Sequence, residues 1–166
     1  RFRGVILFSA FGHHALGEIS YKSSALYAEH GKKKAAFLQA FLEKCRNDEL
    51  QVVDDLAAHL KLCSNPIWML SIVTKQDLWW KDRATVENHY QSGPYSAIIN
   101  GVISHRGAES FRHELTFVSL VIRRLMTGQS ELLKNNVAGY DQELQLQSLR
   151  GLAMTIDSLR QWEQGR

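Results

Sequence analysis

Four consecutive residues, Thr74-Lys75-Gln76-Asp77, carry the side chains of this sequence best suited to recognition chemistry. They follow directly on the apolar run Ile67 to Val73, whose length and lack of alternation predict a strand buried on both faces. A carboxylate and a lysine stem at the end of such a strand stand at the sheet rim, where open α/β folds bind their ligands. The order of residues suits a guanine base. An ionised Asp77 accepts two hydrogen bonds at once, from the ring N1–H and the exocyclic amino group. The Lys75 stem can lie along the base while its ammonium stays in water. Adenine has a bare acceptor at N1 and no amino group beside it, so it leaves the carboxylate unpaired. Leaving a buried polar group without its partner discriminates by roughly 10⁴-fold or more. The plainer alternative makes the same residues the cap and first turn of a helix, with Asp77 as N-cap ahead of Leu78.

Other segments must place these residues. Gly4 to Phe11 is a continuous apolar run ending at Gly12 and predicts a first buried strand. From Lys33 to about Leu62 apolar residues recur at helical spacing, which predicts one long amphipathic helix, or two in line with a break near Asn47-Asp48. Asn65-Pro66 ends it. After Asp77 come a short helix from about Arg83 to Tyr90, a break at Ser92-Gly93-Pro94, and a helix over Tyr95 to Ser104. A polar loop at His105 to Ser110 leads to a third strand over Leu115 to Ile122, and a last helix is expected from Asp141 to Trp162. Strands alternating with helices predict a doubly wound α/β domain with a mostly parallel sheet, spanning 1–166 as one unit.

Bulk composition narrows the function classes. A net charge of +3, with Lys32-Lys33-Lys34 as the one dense basic run, lacks the cationic stripe of a nucleic-acid binder. Cys45 and Cys63 form no Cys-x-x-Cys pair and read as thiols in a reducing compartment, neither a disulfide framework nor a zinc site. No run approaches a membrane span and no signal peptide is visible, so a cytoplasmic protein is the expectation.

Taken in order, the three strands and their polar or small ends resemble the second half of a P-loop GTPase domain. Thr74-Lys75-Gln76-Asp77 is similar to the family's guanine-specificity motif, Asn/Thr-Lys-x-Asp, and Phe117-Val118-Ser119-Leu120 resembles the next strand, whose end packs on the base edge. Phe11-Gly12-His13-His14, the stretch Val73 to Trp80, and Tyr90-Gln91-Ser92-Gly93-Pro94-Tyr95 resemble GTPase-like domains of bacterial multidomain proteins. The resemblance implies a guanine-nucleotide-binding domain contacting the base through Thr74, Lys75, Asp77, Ser119 and Leu120. It also implies GTP or GDP with Mg²⁺ in an intact domain. The departure is large. No Gly-x-x-x-x-Gly-Lys-Ser/Thr phosphate loop and no Asp-x-x-Gly switch lies in these residues, and Gly31-Lys32-Lys33-Lys34 is no substitute for the first. The start at Arg1 favours a later part of a longer GTPase over a degenerate domain, and catalytic residues stay unassigned.

Two rival readings stand beside this one. A nucleotide-free, GTPase-shaped adaptor would use the long helices to dock a protein partner, and other domains or proteins are expected partners in either case. An unrelated α/β enzyme would use His13 or His14, yet neighbours on one strand point to opposite faces and no nucleophile with a base partner is visible. Trp79-Trp80 is expected to close the sheet edge or meet another domain.

Overall fold

Residues Ile67–Val73 form the central strand, β2, of a three-stranded parallel sheet whose outer strands are β1 (Gly4–Ser9) and β3 (Phe111–Phe117). This computed structural model describes residues 3–14, 21–119, 125–127, 130–133 and 140–165. Every residue of β2 except the half-buried Trp68 is buried, which explains why its sequence shows no polar alternation. Its odd-numbered residues face α2 (Lys34–Leu62), α4 (Arg83–Gln91) and α5 (Pro94–Arg106) around Met69, Val73, Val86, Ile99 and Val102. Its even-numbered residues Leu70 and Ile72 meet Val118 and Leu159 under the final helix, α6 (Gln142–Gln164). The chain is thus α/β, an open parallel sheet with helices on both faces. A short helix (Ala25–Glu29), a one-turn helix (Gln76–Trp79), two 3-10 turns (Tyr21–Ser23 and Trp80–Asp82) and an antiparallel pair (Leu125–Thr127 with Ser130–Leu133) complete the described elements. No described helix is long and apolar enough to cross a membrane.

Helix α2 is a single helix, with no break at Asn47-Asp48. Its buried residues Phe37, Phe41, Cys45, Glu49, Val53 and Ala57 recur every fourth position. Each such step turns about 40° past a full turn, so the stripe winds around the helix. The N-terminal half therefore packs on Tyr21, Leu26 and Tyr27, and the C-terminal half packs on the sheet. Both cysteines are free thiols. The break at Ser92-Gly93-Pro94 falls as expected, with Gly93 before the helix and Pro94 opening α5, where a missing N–H costs nothing.

Two boundaries differ from expectation. The first strand stops at Ser9, and Phe11 and Gly12 turn away with positive φ. The third strand spans Phe111–Phe117, four residues earlier than the apolar run at Leu115 to Ile122, and α5 extends to Arg106 into the expected loop. Polar residues pass through β3 because each finds a partner. Arg112 pairs with Glu114 at 2.6 Å and donates to Ser158 Oγ of α6, while His113 Nε2 lies 2.9 Å from Ser71 Oγ. Ser119 consequently lies beyond the strand, and Leu120 lies outside the described residues.

The sheet cover is uneven. Ile6 and Phe8 of β1 point to the α6 side yet stay 50% and 66% exposed, and no described strand pairs the outer edge of β1.

Burial lowers the pKa of His113 to about 4, with the Glu114 charge acting weakly the other way, and burial brings His13 to about 4 as well. The unfolded chain therefore takes up protons first as pH falls from about 6.5. The contribution of these two rings should be flat from pH 7 to 9 and decline by roughly 2 kcal/mol for each ring between pH 7 and 5. Urea unfolding across that range checks this. His113→Gln should remove its share of the decline, and an unchanged pH profile would count against the burial argument.

Candidate functional site

The segment after β2 is stitched to both neighbouring strands. On the β1 side, the backbone N–H and the hydroxyl of Thr74 both donate to the Ser9 carbonyl, at 2.7 and 2.9 Å. On the β3 side, the Val118 N–H donates to the Val73 carbonyl at 2.8 Å. Lys75 then adopts a left-handed conformation, φ 59° and ψ 36°, which is strained for a residue with a side chain. Two interactions hold it there. Its carbonyl accepts from Leu78 N–H at 2.8 Å, and its ammonium donates to the carbonyls of His13 at 2.6 Å and His14 at 3.3 Å.

Asp77 sits in the first turn of the one-turn helix Gln76–Trp79, here α3, and not at its N-cap, a position that Lys75 occupies without a side-chain cap. The plainer alternative thus holds in outline, with Lys75 at the cap and Asp77 in the first turn, and misses only in placing Asp77 at the N-cap. Its carboxylate turns toward β3 instead, where Ser119 Oγ donates to Oδ1 at 2.8 Å. Both residues are closed off, with 3% of Asp77 and 1% of Ser119 exposed. Thr74, Lys75, Asp77 and Ser119 all lie at the C-terminal end of the sheet, Thr74 and Lys75 bonded toward β1 and Asp77 bonded to Ser119. The pairing uses part of their hydrogen-bonding capacity internally. A carboxylate offers about four acceptor positions and Ser119 occupies one. A base reaching Asp77 must displace what covers it.

The loop after β1 forms the floor beside Lys75. Phe11 has φ 50° and Gly12 has φ 81°. The Phe11 strain is held from three sides: its N–H donates to Tyr90 Oη at 3.1 Å, its ring meets His89 edge-on at 5.4 Å, and Arg46 Cζ lies 4.8 Å from its centroid. Tyr90 in turn donates to the buried carboxylate of Glu49, which also accepts from Ala10 N–H at 3.3 Å. Burial and then the Glu49 charge push the Tyr90 hydroxyl well above the usual phenol range, so it acts as a donor. The sequence reading missed Glu49 and Tyr90. Their signal was a lone acidic residue on the apolar stripe of α2, between Cys45 and Val53.

His13 and His14 lie past the strand, in this loop, rather than on it. His13 is buried with Nδ1 3.0 Å from the Ala10 carbonyl and 3.1 Å from that of Phe11. A neutral ring donating from Nδ1 fits those partners, and burial chiefly, then Lys75 and Arg46, keeps it neutral. His14 is exposed. Among the described residues no group of three His, Cys, Asp or Glu side chains is placed to hold a metal ion. Trp79 points inward, donating from Nε1 to the Thr74 carbonyl at 2.8 Å, whereas Trp80 meets the Tyr140 ring at 5.0 Å.

A cleft of about 260 Å³ opens along β1, lined by Leu7, Phe8, Ser9, His14, Asp48, Glu49 and Val52. A wider groove of about 570 Å³ runs between β3 and α6. Asp77 lines neither.

No family model, curated protein or solved structure matches this chain.

A Cβ on Gly12 would fall 2.5 Å from the Leu42 carbonyl oxygen, in a backbone region unfavourable to side chains. Gly12→Ala should therefore cost about 2 kcal/mol or more of folding stability. Urea unfolding of the variant measures it, and a loss under about 0.5 kcal/mol would show that the turn relaxes freely.

Proposed function

We propose that this chain is a guanine-recognising domain of the GTPase type, represented by its base-binding half. The observation that carries the reading is the Asp77–Ser119 pair at the C-terminal end of a central parallel strand, flanked by the Lys75 stem. In that arrangement Asp77 accepts from the base N1–H and amino group, Ser119 fixes the carboxylate's angle, and Lys75 lies against the ring with its ammonium anchored on the loop after β1. Left-handed Lys75 is what lets one short turn send the lysine toward β1 and the carboxylate toward β3. GTP with Mg²⁺ would supply the phosphoryl chemistry when bound. The residues fit the base and not the triphosphate, since no phosphate-loop sequence is among them. Leu120 remains a proposed base-edge contact. The exposed Ile6 and Phe8 and the free edge of β1 support the reading, because a further strand and helix of such a domain have room there.

A second reading, a nucleotide-free adaptor, is favoured by exposed apolar side chains spread along α6. Leu146, Met154 and Ile156 are 47%, 71% and 47% exposed along that helix, more apolar surface than a solvated helix needs.

Guanine and adenine monophosphates separate the two, because they probe the base site without relying on a phosphate loop. Competition binding into the millimolar range should show GMP preferred over AMP. In Asp77→Asn the amide donates where the carboxylate accepted, so preference should move from GMP to XMP by about 100-fold. An unchanged GMP preference in the variant would remove Asp77 from the site, and the absence of saturation by any nucleotide would favour the adaptor.

A further inference from the structure

The two halves of the proposed base site come from different segments: Asp77 from α3, and Ser119 from the chain leaving β3. The hydroxyl–carboxylate bond from Ser119 to Asp77 joins them, and the angle of the carboxylate depends on how firmly each half is held. The start of α6 grips both halves. Gln145 Nε2 donates to the Ser119 carbonyl at 3.0 Å. Tyr140 Oη donates to Gln76 Oε1, one residue before Asp77, at 3.1 Å, and the Tyr140 ring packs edge-on against Trp80 at the other end of α3. The helix start that carries them is itself fixed, because Asp141 is its N-cap and accepts from Leu144 N–H at 3.0 Å. Tyr140 is 2% exposed, as closed off as the pair it flanks. Burial chiefly, and then the Asp77 charge, raise its pKa, which places the hydroxyl within electrostatic reach of the carboxylate.

We infer that Tyr140 and Gln145 are positioning residues for base selection: they hold α3 and Ser119 at the separation that lets both Asp77 oxygens face one purine edge. The inference rests on the guanine reading above and adds to it the groups that set its selectivity. It concerns one chemical distinction. Guanine and hypoxanthine both present N1–H, and guanine alone presents the 2-amino group. A carboxylate held at the right angle takes both donors. One that swings keeps the N1–H bond and loses the amino bond, so slack in the clamp weakens guanine and spares hypoxanthine.

The test compares GMP, IMP and AMP by competition on the full chain, in wild type, Tyr140→Phe and Gln145→Ala. Tyr140→Phe keeps the ring on Trp80 and removes the hydroxyl's bonds to Gln76, Ser148 and Ser119. Gln145→Ala changes a half-buried helix residue, so it provides a second route if the tyrosine variant folds poorly, and circular dichroism verifies both folds. The expected result is a GMP-to-IMP preference reduced about tenfold in each variant, with IMP affinity within about twofold of wild type. Equal losses for GMP and IMP would show that the two residues only support the fold and would overturn the inference while leaving the base site standing. A wild-type chain that fails to prefer GMP over AMP would overturn the guanine reading itself, and the positioning role with it.

Discussion

The structure depends on how β2 ends. A parallel strand with a neighbour on each side must hand its last backbone groups to something, since buried N–H and C=O groups without partners are costly. Thr74 gives both its N–H and its hydroxyl to Ser9, Val73 takes the N–H of Val118, and Trp79 caps the Thr74 carbonyl. That leaves two long side chains, Lys75 and Asp77, directed to opposite neighbours by one left-handed residue. Three strand ends are thereby joined into one rigid rim. The remaining elements serve that rim: Glu49 and Tyr90 brace the loop after β1, and α6 braces the chain leaving β3.

Much of this was legible in the residues, and the reasons are particular. The run Ile67 to Val73 announced a doubly covered strand because nothing polar interrupts it, and Ser92-Gly93-Pro94 announced a helix break because proline suits a first turn. Of the residues singled out together, Asp77 and Ser119 bond to each other, Thr74 and Lys75 turn toward β1, and Leu120 lies outside the described residues. The third strand was misplaced by four residues because hydrophobicity marked Leu115 to Ile122, whereas the real strand begins among Arg112, His113 and Glu114. Those polar side chains are tolerated only through partners on Ser71 and Ser158, which a linear reading cannot see. The same blindness hid Tyr140 and Gln145, whose partners lie sixty-four and twenty-six residues away.

Internal satisfaction and ligand recognition compete for the same atoms at this rim. Ser119 already occupies one position on Asp77, and the ammonium of Lys75 already rests on two carbonyls. Such pre-engagement has a cost and a use. Freezing both side chains before a ligand arrives lowers the entropy lost on binding, while their burial demands that the cover move aside first. The proposed base site would, on these terms, be selective before it is strong.

The first strand has a consequence of its own. Gly4–Ser9 carries no lysine, proline or bulge, and two of its large side chains face water. These are the devices by which sheet proteins keep their borders from sticking to one another. Left to itself at high concentration, this segment is a template on which a foreign or identical strand can be laid down. Among the described residues nothing pairs that border, so six residues of β1 set where a neighbouring strand would be added.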